Sequence, residues 1–239
     1  MNNLKDTVVI VIGGSSGIGY SVAEQAFAQG AKVTVTSRDH DRGRRAAGNI
    51  SDQVDYAALD VNQEETINNF FGSIPSVDHI YIAAGSTKLG SVTDKKLEDH
   101  MQSFNERILG YLRIVRAVAG KINPSGSITF TGGISTDRPI AGAWVSGLAT
   151  ASAEQLARVL VMEFPAIRFN AVSPGYTDTP MWDAIMGESK VDILNSVAEK
   201  LPVKKIATPG EVASAVLFFM SNPSVTGEVI HVDGGGRLV

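Results

Sequence analysis

Apolar, β-branched runs of five or six residues recur along the chain, and segments with helical periodicity separate them. Such runs are typical of strands buried on both faces of a parallel sheet. The alternation predicts an α/β protein, with a doubly wound parallel sheet of about seven strands and helices on both faces. The predicted strands are Thr7–Ile12, Lys32–Thr36, Val54–Ala58, His79–Ala83, Ser127–Thr131, Ile167–Val172 and Glu228–Val232.

Helical periodicity fills most of the gaps between these strands. The predicted helices are Ser16–Gln29, Glu64–Gly72, Lys95–Ala119, Ala143–Phe164 and Pro209–Met220. No linker rich in Pro, Gly or Ser divides the 239 residues, so we expect one domain that covers 1–239. We expect 180–205 to form a substrate lid, because Pro180–Gly187 at its start mixes large apolar side chains with Gly. A subunit contact is the alternative for this segment.

Composition narrows the class of protein. A hydrophobic share of 44% against 19% charged residues is typical of a globular protein with a sizeable core. The net charge of −4 provides no basic field for nucleic acid or an anionic membrane. The absence of cysteine excludes disulfides and thiolate chemistry, and the four histidines show no metal-ligand spacing, so no metal site is predicted. Without a signal-peptide pattern or a run of membrane-spanning length, a cytoplasmic protein is expected.

The first strand runs directly into a glycine-rich segment, Gly13–Gly19, that opens a helix. Gly13 permits the tight turn, Gly17 lets the backbone approach a pyrophosphate, and Gly19 lets the helix pack against the sheet. Anionic oxygens would then face the helix N-terminus. The segment predicts a nucleotide cradle, and a purely structural turn is the alternative. Other residues predicted to contact the nucleotide in this segment are Ser15, Ser16 and Ile18.

Residues that follow the next strands are candidates for the same ligand, because in such sheets it lies across the carboxyl ends of the strands. The second strand is followed by Ser37–Arg38, with no acidic residue at the strand end for a ribose 2′-hydroxyl. A guanidinium can hold a 2′-phosphate with two parallel hydrogen bonds, which favours NADP(H) over NAD(H). The alternative for Arg38 is a solvated surface side chain. Further along the chain, Asp60–Val61 is predicted to cover the adenine, and Ala84–Gly85 to let a flat ligand pass closely.

Five motifs stand in a fixed order along the chain: Gly13-x-x-x-Gly17-x-Gly19, Asp60-Val61, Ala84-Gly85, Arg168–Gly175 and Gly227–Gly235. In this order they resemble the short-chain dehydrogenase/reductase family over nearly the whole chain. The resemblance implies a Rossmann-type domain, a nicotinamide dinucleotide cofactor and a homo-oligomer, either a tetramer or a dimer. It also implies that Pro174–Gly175, with Thr177 and Thr179 behind it, lies against the nicotinamide and the pyrophosphate.

The resemblance also assigns catalytic positions, and this chain departs from the family at each of them. The family's oxidoreductases use a Tyr as general acid/base, a Lys four residues later, a Ser that orients the carbonyl and an Asn that holds a water. In this sequence the Tyr and Lys positions hold Ser146 and Thr150, and the Ser and Asn positions hold Gly133 and Arg107. Candidate substitutes for the lost acid are Arg107 and Tyr176, although a salt bridge and plain packing are their alternative roles.

Without a phenol beside an ammonium group, the family's proton relay has no donor. Proton catalysis of this kind contributes roughly 10²–10⁴-fold, whereas holding two reactants together supplies effective molarities of roughly 10⁵–10⁸ M. Slowed hydride transfer to a small activated carbonyl or a quinone is therefore the leading hypothesis. The alternative is a non-catalytic NADP(H) sensor or the inactive partner of an active homologue. A third possibility is a scaffold that no longer binds cofactor, because Ile12 and Ile82 replace polar residues of the family.

Overall fold

Seven parallel strands form one sheet in the order β3-β2-β1-β4-β5-β6-β7 in the computed structural model, which describes residues 4–94 and 97–239. The strands are β1 (Val8–Ile12), β2 (Lys32–Ser37), β3 (Asp55–Ala58), β4 (Val77–Ile82), β5 (Ile122–Thr131), β6 (Arg168–Pro174) and β7 (Val229–Val232). The predicted fold class is confirmed. The order of the strands changes direction between β1 and β4, because β2 and β3 follow on one side of β1 and β4 to β7 lie on the other. The ligand crevice of such folds opens at this point.

Helices cover both faces of the sheet. They are α1 (Gly17–Ala28), α2 (His40–Ile50), α3 (Glu64–Ser73), α4 (Leu97–Asn105), α5 (Tyr111–Val118), α6 (Trp144–Glu163), α7 (Pro180–Met186), α8 (Lys190–Lys200) and α9 (Pro209–Ser221). On one face Val11 belongs to a buried cluster with Val22 of α1 and Val216 of α9. On the other face Ile12 shares a buried cluster with Ile114 of α5. Because neighbouring residues of one strand face opposite layers, both faces of β1 are buried, as its apolar run predicts.

The long helix predicted over Lys95–Ala119 is wrong in detail. Its first two residues lie outside the described residues, and the remainder is α4, a π-helical turn at Glu106–Gly110, and α5. Periodicity of apolar residues predicts that this stretch is helical, but it does not resolve a single π turn, which changes the hydrogen bonds from i→i+4 to i→i+5. Such turns are frequent at functional sites, and this one carries Arg107.

Two other parts of the chain differ from the sequence prediction. The polar segment after β2 forms α2, which Asp39 caps by accepting a hydrogen bond from the backbone N–H of Arg42 at 2.9 Å. The predicted lid contains α7 and α8, joined by a 3₁₀ turn at Gly187–Ser189. In the described part of the chain, no helix combines the length and the apolar character that a membrane span requires.

Candidate nucleotide and substrate site

The turn from β1 into α1 is packed so closely that side chains would not fit at its glycines. A Cβ on Gly19 would lie 2.3 Å from the carbonyl oxygen of Gly13, and a Cβ on Gly13 would lie 2.9 Å from the amide nitrogen of Ala84. Gly13 and Gly17 also adopt positive φ angles of 84° and 56°. The first turn of α1 contains no acidic residue, and the N-cap Ser16 makes no side-chain cap. The helix N-terminus is therefore free to accept an anion.

A cavity of about 250 Å³ lies beside this turn, above the ends of β2 and β4. Its lining contains predicted nucleotide-binding residues from the ends of four strands, β1 to β4. They are Gly13, Ser15, Ser16, Ser37, Arg38, Val61, Ala84 and Gly85, together with Asp39, Arg42, Leu59, Asn62, Ala83, Ser86 and Glu106. The position next to the glycine turn and the two arginines match the adenosine half of a dinucleotide.

Arg42 is a functional candidate that the sequence analysis missed. Its Nη2 donates a hydrogen bond to Oγ of Ser16 at 2.8 Å, so its guanidinium lies beside the nucleotide turn. Arg38 and Arg42 are both exposed and both line the smaller cavity. Asp39 was the signal in the sequence, because Asp is typical of helix N-caps and a helix that begins after it places Arg42 in the first turn, next to the end of β2.

The structure does not bring Asp60 together with the other predicted residues of this cavity. The Asp60 carboxylate instead accepts hydrogen bonds from the backbone and side-chain nitrogens of Asn62, at 2.9 and 3.2 Å. Leu59, Val61 and Asn62 line the cavity around it. Asp60 therefore shapes the loop after β3, and its neighbours face the cavity.

A larger cavity of about 930 Å³ continues from the glycine turn to the predicted lid. The predicted nucleotide-binding residues that line it are Gly13, Ser16, Gly17, Ile18, Gly19, Gly85, Pro174, Gly175, Thr177 and Thr179. The lid contributes mainly apolar side chains, which are Met181, Trp182, Ile185, Met186, Ile193 and Val197. This volume lies at the upper end of the range for ligand pockets and suits the reactive half of a dinucleotide with a small apolar substrate.

All four positions that the resemblance assigns to catalysis line this larger cavity. Thr150 donates its hydroxyl to the carbonyl oxygen of Ser146 at 2.9 Å, and its Oγ1 lies 3.0 Å from Oγ1 of Thr136. A Cβ on Gly133 would lie 3.0 Å from Cγ2 of Thr150. The topology therefore brings these positions together, but they present hydroxyl and backbone groups, with neither a phenol nor an ammonium group among them.

Arg107 is the one charged side chain among those positions. Only 6% of its surface is exposed, and its Nη1 donates to the carbonyl oxygen of Ser86 at 2.7 Å. Its guanidinium packs over Gly85, where a Cβ would lie 2.8 Å from Cζ. Its Nε is buried without a hydrogen-bond partner, and among the described residues it forms no ion pair within 4.0 Å. A buried cation in this state favours an electron-rich group in the adjacent cavity.

Comparisons with known proteins agree with this geometry. A family model described as enoyl-(acyl carrier protein) reductase matches residues 12–236. A 3-oxoacyl-[acyl-carrier-protein] reductase of Chlamydia muridarum is 30% identical over 253 residues, covering 98% of this chain and 99% of that protein. The chain belongs to the short-chain dehydrogenase/reductase family. A short-chain dehydrogenase/reductase of an Acremonium species is 29% identical over 257 residues, covering 99% of this chain and 97% of the relative.

Solved structures of this family superpose closely on the chain. A short-chain dehydrogenase/reductase family protein has a TM-score of 0.90 and 32% identity, with 100% of both chains covered. A small-chain dehydrogenase in complex with NADPH has a TM-score of 0.86 and 30% identity, covering 98% of this chain and 100% of that one. This short-chain dehydrogenase/reductase therefore shares its whole fold with a relative that binds a reduced nicotinamide dinucleotide.

Phenols near the cavity are the remaining candidates for the family's missing acid. Tyr176 stacks on Trp182 with ring centroids 5.1 Å apart, and both residues line the larger cavity. Tyr81, which the sequence analysis treated only as part of a strand, also lines it, and its hydroxyl lies 3.0 Å from Oγ1 of Thr131. Burial raises the pKa of Tyr81 above its ordinary value, and the hydrogen bond with Thr131 and the Arg107 charge only partly oppose this. Tyr81 is therefore a protonated phenol at neutral pH.

An ion-pair network joins the lid to the segment that follows β6. Nζ of Lys190 lies 2.7 Å from a carboxylate oxygen of Asp178 and 2.8 Å from one of Asp183. Hydrogen bonds with Asp178 and then Asp183 raise the pKa of Lys190. Thr87, on the opposite side of the cleft, points its hydroxyl at the sulfur of Met181 at 3.7 Å. The first turn of α7 thus spans the cleft, where it can cover a substrate.

Proposed function

We propose that this short-chain dehydrogenase/reductase binds NADP(H) and acts as an oxidoreductase on a small activated carbonyl or a quinone. The observation that carries the proposal is the continuous pair of cavities that share Gly13, Ser16 and Gly85. One cavity has the arginines and the glycine turn suited to an adenosine phosphate, and the other ends under an apolar lid. When bound, the reduced cofactor would supply a hydride.

The preference for NADP(H) rests on the end of β2. Arg38 and Arg42 both line the smaller cavity, so two guanidinium groups are available for a 2′-phosphate. Asp39 is the nearby carboxylate that could instead bind a ribose 2′-hydroxyl, but it caps α2 through the backbone N–H of Arg42. That hydrogen bond is the main cause that lowers the pKa of Asp39. Its carboxylate is therefore engaged within the protein, and the NADPH complex of a relative supports the same choice.

The substrate end favours an acceptor that needs little help from a proton donor. Arg107 presents a buried guanidinium with an unpartnered Nε at the wall of the cavity, where it can polarise a carbonyl or quinone oxygen. The lid side chains Met181, Trp182 and Ile185 favour an apolar substrate. Because the cavity presents no phenol with a neighbouring ammonium group at Ser146 and Thr150, solvent is left as the source of the proton.

A second candidate function is a non-catalytic NADP(H) sensor, or an inactive partner in an assembly with an active homologue. The observation that favours it is the hydrogen bond from the Thr150 hydroxyl to the Ser146 carbonyl, because a hydroxyl satisfied within its own helix is a packing feature. The homo-oligomer expected from the resemblance stays a proposal. Exposed apolar side chains at Leu109 and Leu148 support it.

A binding and turnover experiment separates the two functions. NADPH and NADH are titrated calorimetrically, and NADPH oxidation is then followed with a panel of aldehydes, ketones and quinones. Turnover that Arg38→Asp abolishes and Arg44→Gln leaves intact would establish the enzyme, since Arg44 lies nearby on α2 and is largely exposed. Tight NADPH binding with no turnover across the panel would instead establish the sensor.

A further inference from the structure

A second group of polar side chains lies outside both cavities, at Asp137, Glu154 and His231. Asp137 follows the 3₁₀ turn Ile134–Thr136, Glu154 lies on α6 and His231 lies on β7. Each residue offers one ligand atom, and these atoms all lie within 4.8 Å of one another. Nε2 of His231 lies 2.9 Å from Oδ2 of Asp137. Three distant parts of the sequence therefore bring two carboxylates and an imidazole to one point.

Glu154 is the fixed and buried member of this group. Only 3% of its surface is exposed, and its Oε1 accepts hydrogen bonds from the backbone N–H of Gly133 and the hydroxyl of Thr136, both at 3.2 Å. A Cβ on Gly132 would lie 2.3 Å from the same oxygen, so the carboxylate fills the space beside this glycine. The residues that hold Glu154 thus fix the direction of its buried carboxylate.

Among the described residues, the basic group beside these two carboxylates is the His231 imidazole. In the described part of the chain, no Lys or Arg nitrogen lies within 4.0 Å of the carboxylate of Asp137 or Glu154, and His231 is the partner of Asp137. A buried carboxylate that adjoins a second carboxylate is unfavourable unless a cation compensates it. A bound metal ion would supply that charge.

We propose that Asp137, Glu154 and His231 form a site for one divalent transition-metal cation, with Zn²⁺ and Mn²⁺ as the ions that suit the donor set. Imidazole nitrogen with carboxylate oxygen is a ligand combination that these ions accept. Bonds of about 2.0–2.2 Å separate the ligand atoms around such an ion by roughly 3–4.4 Å. The spacing here requires only a small adjustment, which the exposed Asp137 can make. Solvent would complete the coordination.

A cation at this position would act on the wall of the larger cavity. The segment that lines that cavity consists of Gly132, Gly133, Ile134 and Ser135. Glu154 accepts a hydrogen bond from the backbone N–H of Gly133, and Asp137 lies just after this segment. An ion bound to all three ligands would tie this segment to α6 and β7. Metal binding is therefore expected to raise the melting temperature. This inference does not depend on the oxidoreductase activity or on NADP(H).

The chain contains a matched control for an ordinary histidine–aspartate pair. His40 and Asp41 lie on the surface with Nδ1 and Oδ1 3.6 Å apart and both side chains more than half exposed. No metal-ligating group of three within the same spacing includes them in the described residues. A variant at His40 therefore reports what the loss of a surface histidine does by itself.

The test uses the full chain after removal of metal with EDTA. MnCl₂ is titrated while free Mn²⁺ is followed by electron paramagnetic resonance, and ZnCl₂ is then added as competitor. We expect one saturable Mn²⁺ per chain, displaced by Zn²⁺ and accompanied by a higher melting temperature. D137N and H231Q should each weaken binding at least about tenfold, and H40Q should leave it unchanged.

Two results would overturn the site. One is the absence of saturable binding of Mn²⁺ or Zn²⁺ at one ion per chain. The other is binding that D137N changes by less than about twofold, because the ion would then be held elsewhere. If H231Q melts below the wild type in the absence of metal, D137N decides alone, since Asp137 is exposed and its substitution leaves the core untouched.

Discussion

The adenosine half and the reaction half of the proposed cofactor cleft differ in the kind of group that would carry their function. In the adenosine half, the turn Gly13–Gly19 works through its backbone, and overlap with Gly13 and Ala84 prevents side chains at its glycines. In the reaction half, Ser146 and Thr150 occupy positions where the family's chemistry needs particular side chains. Backbone geometry is fixed by packing and persists, whereas a proton donor is lost by exchanging one side chain. Binding and catalysis can therefore separate within one cavity.

The largest expected effect comes from restoring the family's acid in the reaction half. The double variant Ser146→Tyr with Thr150→Lys places a phenol and an ammonium group on residues that already line the cavity. We expect NADPH-dependent reduction of a neutral ketone to rise by about 10²–10⁴-fold, which is the usual contribution of general acid catalysis. Steady-state NADPH oxidation measures it.

The control for this double variant is Ser146→Phe with Thr150→Met, which adds similar volume without a proton donor. It should bind NADPH like the wild type and show no gain in turnover. A folded Tyr/Lys variant that binds NADPH and gains nothing would show that the reaction half has lost more than its acid, and the comparison between the halves would then fail.

Removing the proposed 2′-phosphate contact tests the adenosine half. Arg38→Ala should weaken NADPH binding by about 10–150-fold, because a hydrogen bond to a charged group contributes about 1.5–3 kcal/mol. NADH affinity should change by less than about twofold, since NADH has no 2′-phosphate. Isothermal calorimetry measures both affinities, with Arg44→Ala, an exposed arginine of α2, as the control. Equal losses for the two cofactors would show that Arg38 supports the fold of the loop and does not read the phosphate.

The backbone part of the cradle is tested at Gly19. A Cβ there would lie 2.3 Å from the Gly13 oxygen, so Gly19→Ala must shift the turn, at a cost of about 1–3 kcal/mol. NADPH affinity is expected to fall by about 5–150-fold. Gly72→Ala is the matched control, because no atom lies within 4 Å of a Cβ at that helical position. Unchanged NADPH affinity in Gly19→Ala would remove the argument that backbone packing preserves the site.

The smallest expected effect concerns Tyr81. Burial raises the pKa of Tyr81, so its phenol is protonated on both sides of neutrality and contributes no titration between about pH 7 and 9. Tyr81→Phe should leave the pH dependence of turnover, and the phenolate absorbance over that range, the same as in the wild type. A limb of the pH profile that disappears in Tyr81→Phe would identify this phenol as the missing base.

Sequence patterns predicted the sheet well because each buried strand is one apolar run that ends at the crevice. They could not predict the contacts that depend on side chains from separate elements. Arg42 reaches Ser16 only because Asp39 starts a helix after β2. From the sequence, Tyr81 is interpreted as a core residue. The structure shows that Tyr81 also lines the larger cavity, where it contacts the hydroxyl of Thr131.

The same limit applies to charge. The spacing of histidines in the sequence predicted no metal site, and that prediction is untested, but His231 meets Asp137 and Glu154 only after three elements have packed together. Arg107 was recognised as the residue at the family's Asn position. Apolar periodicity reveals neither the π-helical turn that contains Arg107 nor the lack of a hydrogen-bond partner at its Nε.

Titration of the wild-type protein with NADPH and NADH measures whether the chain binds a cofactor although the family's proton relay is absent. Trp182 lines the larger cavity and should be quenched by reduced cofactor, whereas Trp144 packs against His100 and should respond less. We expect saturable binding of one NADPH per chain, with an affinity at least about tenfold higher than that for NADH. Neither quenching nor heat of binding with either cofactor would contradict it, and equal affinities would contradict the assignment of Arg38.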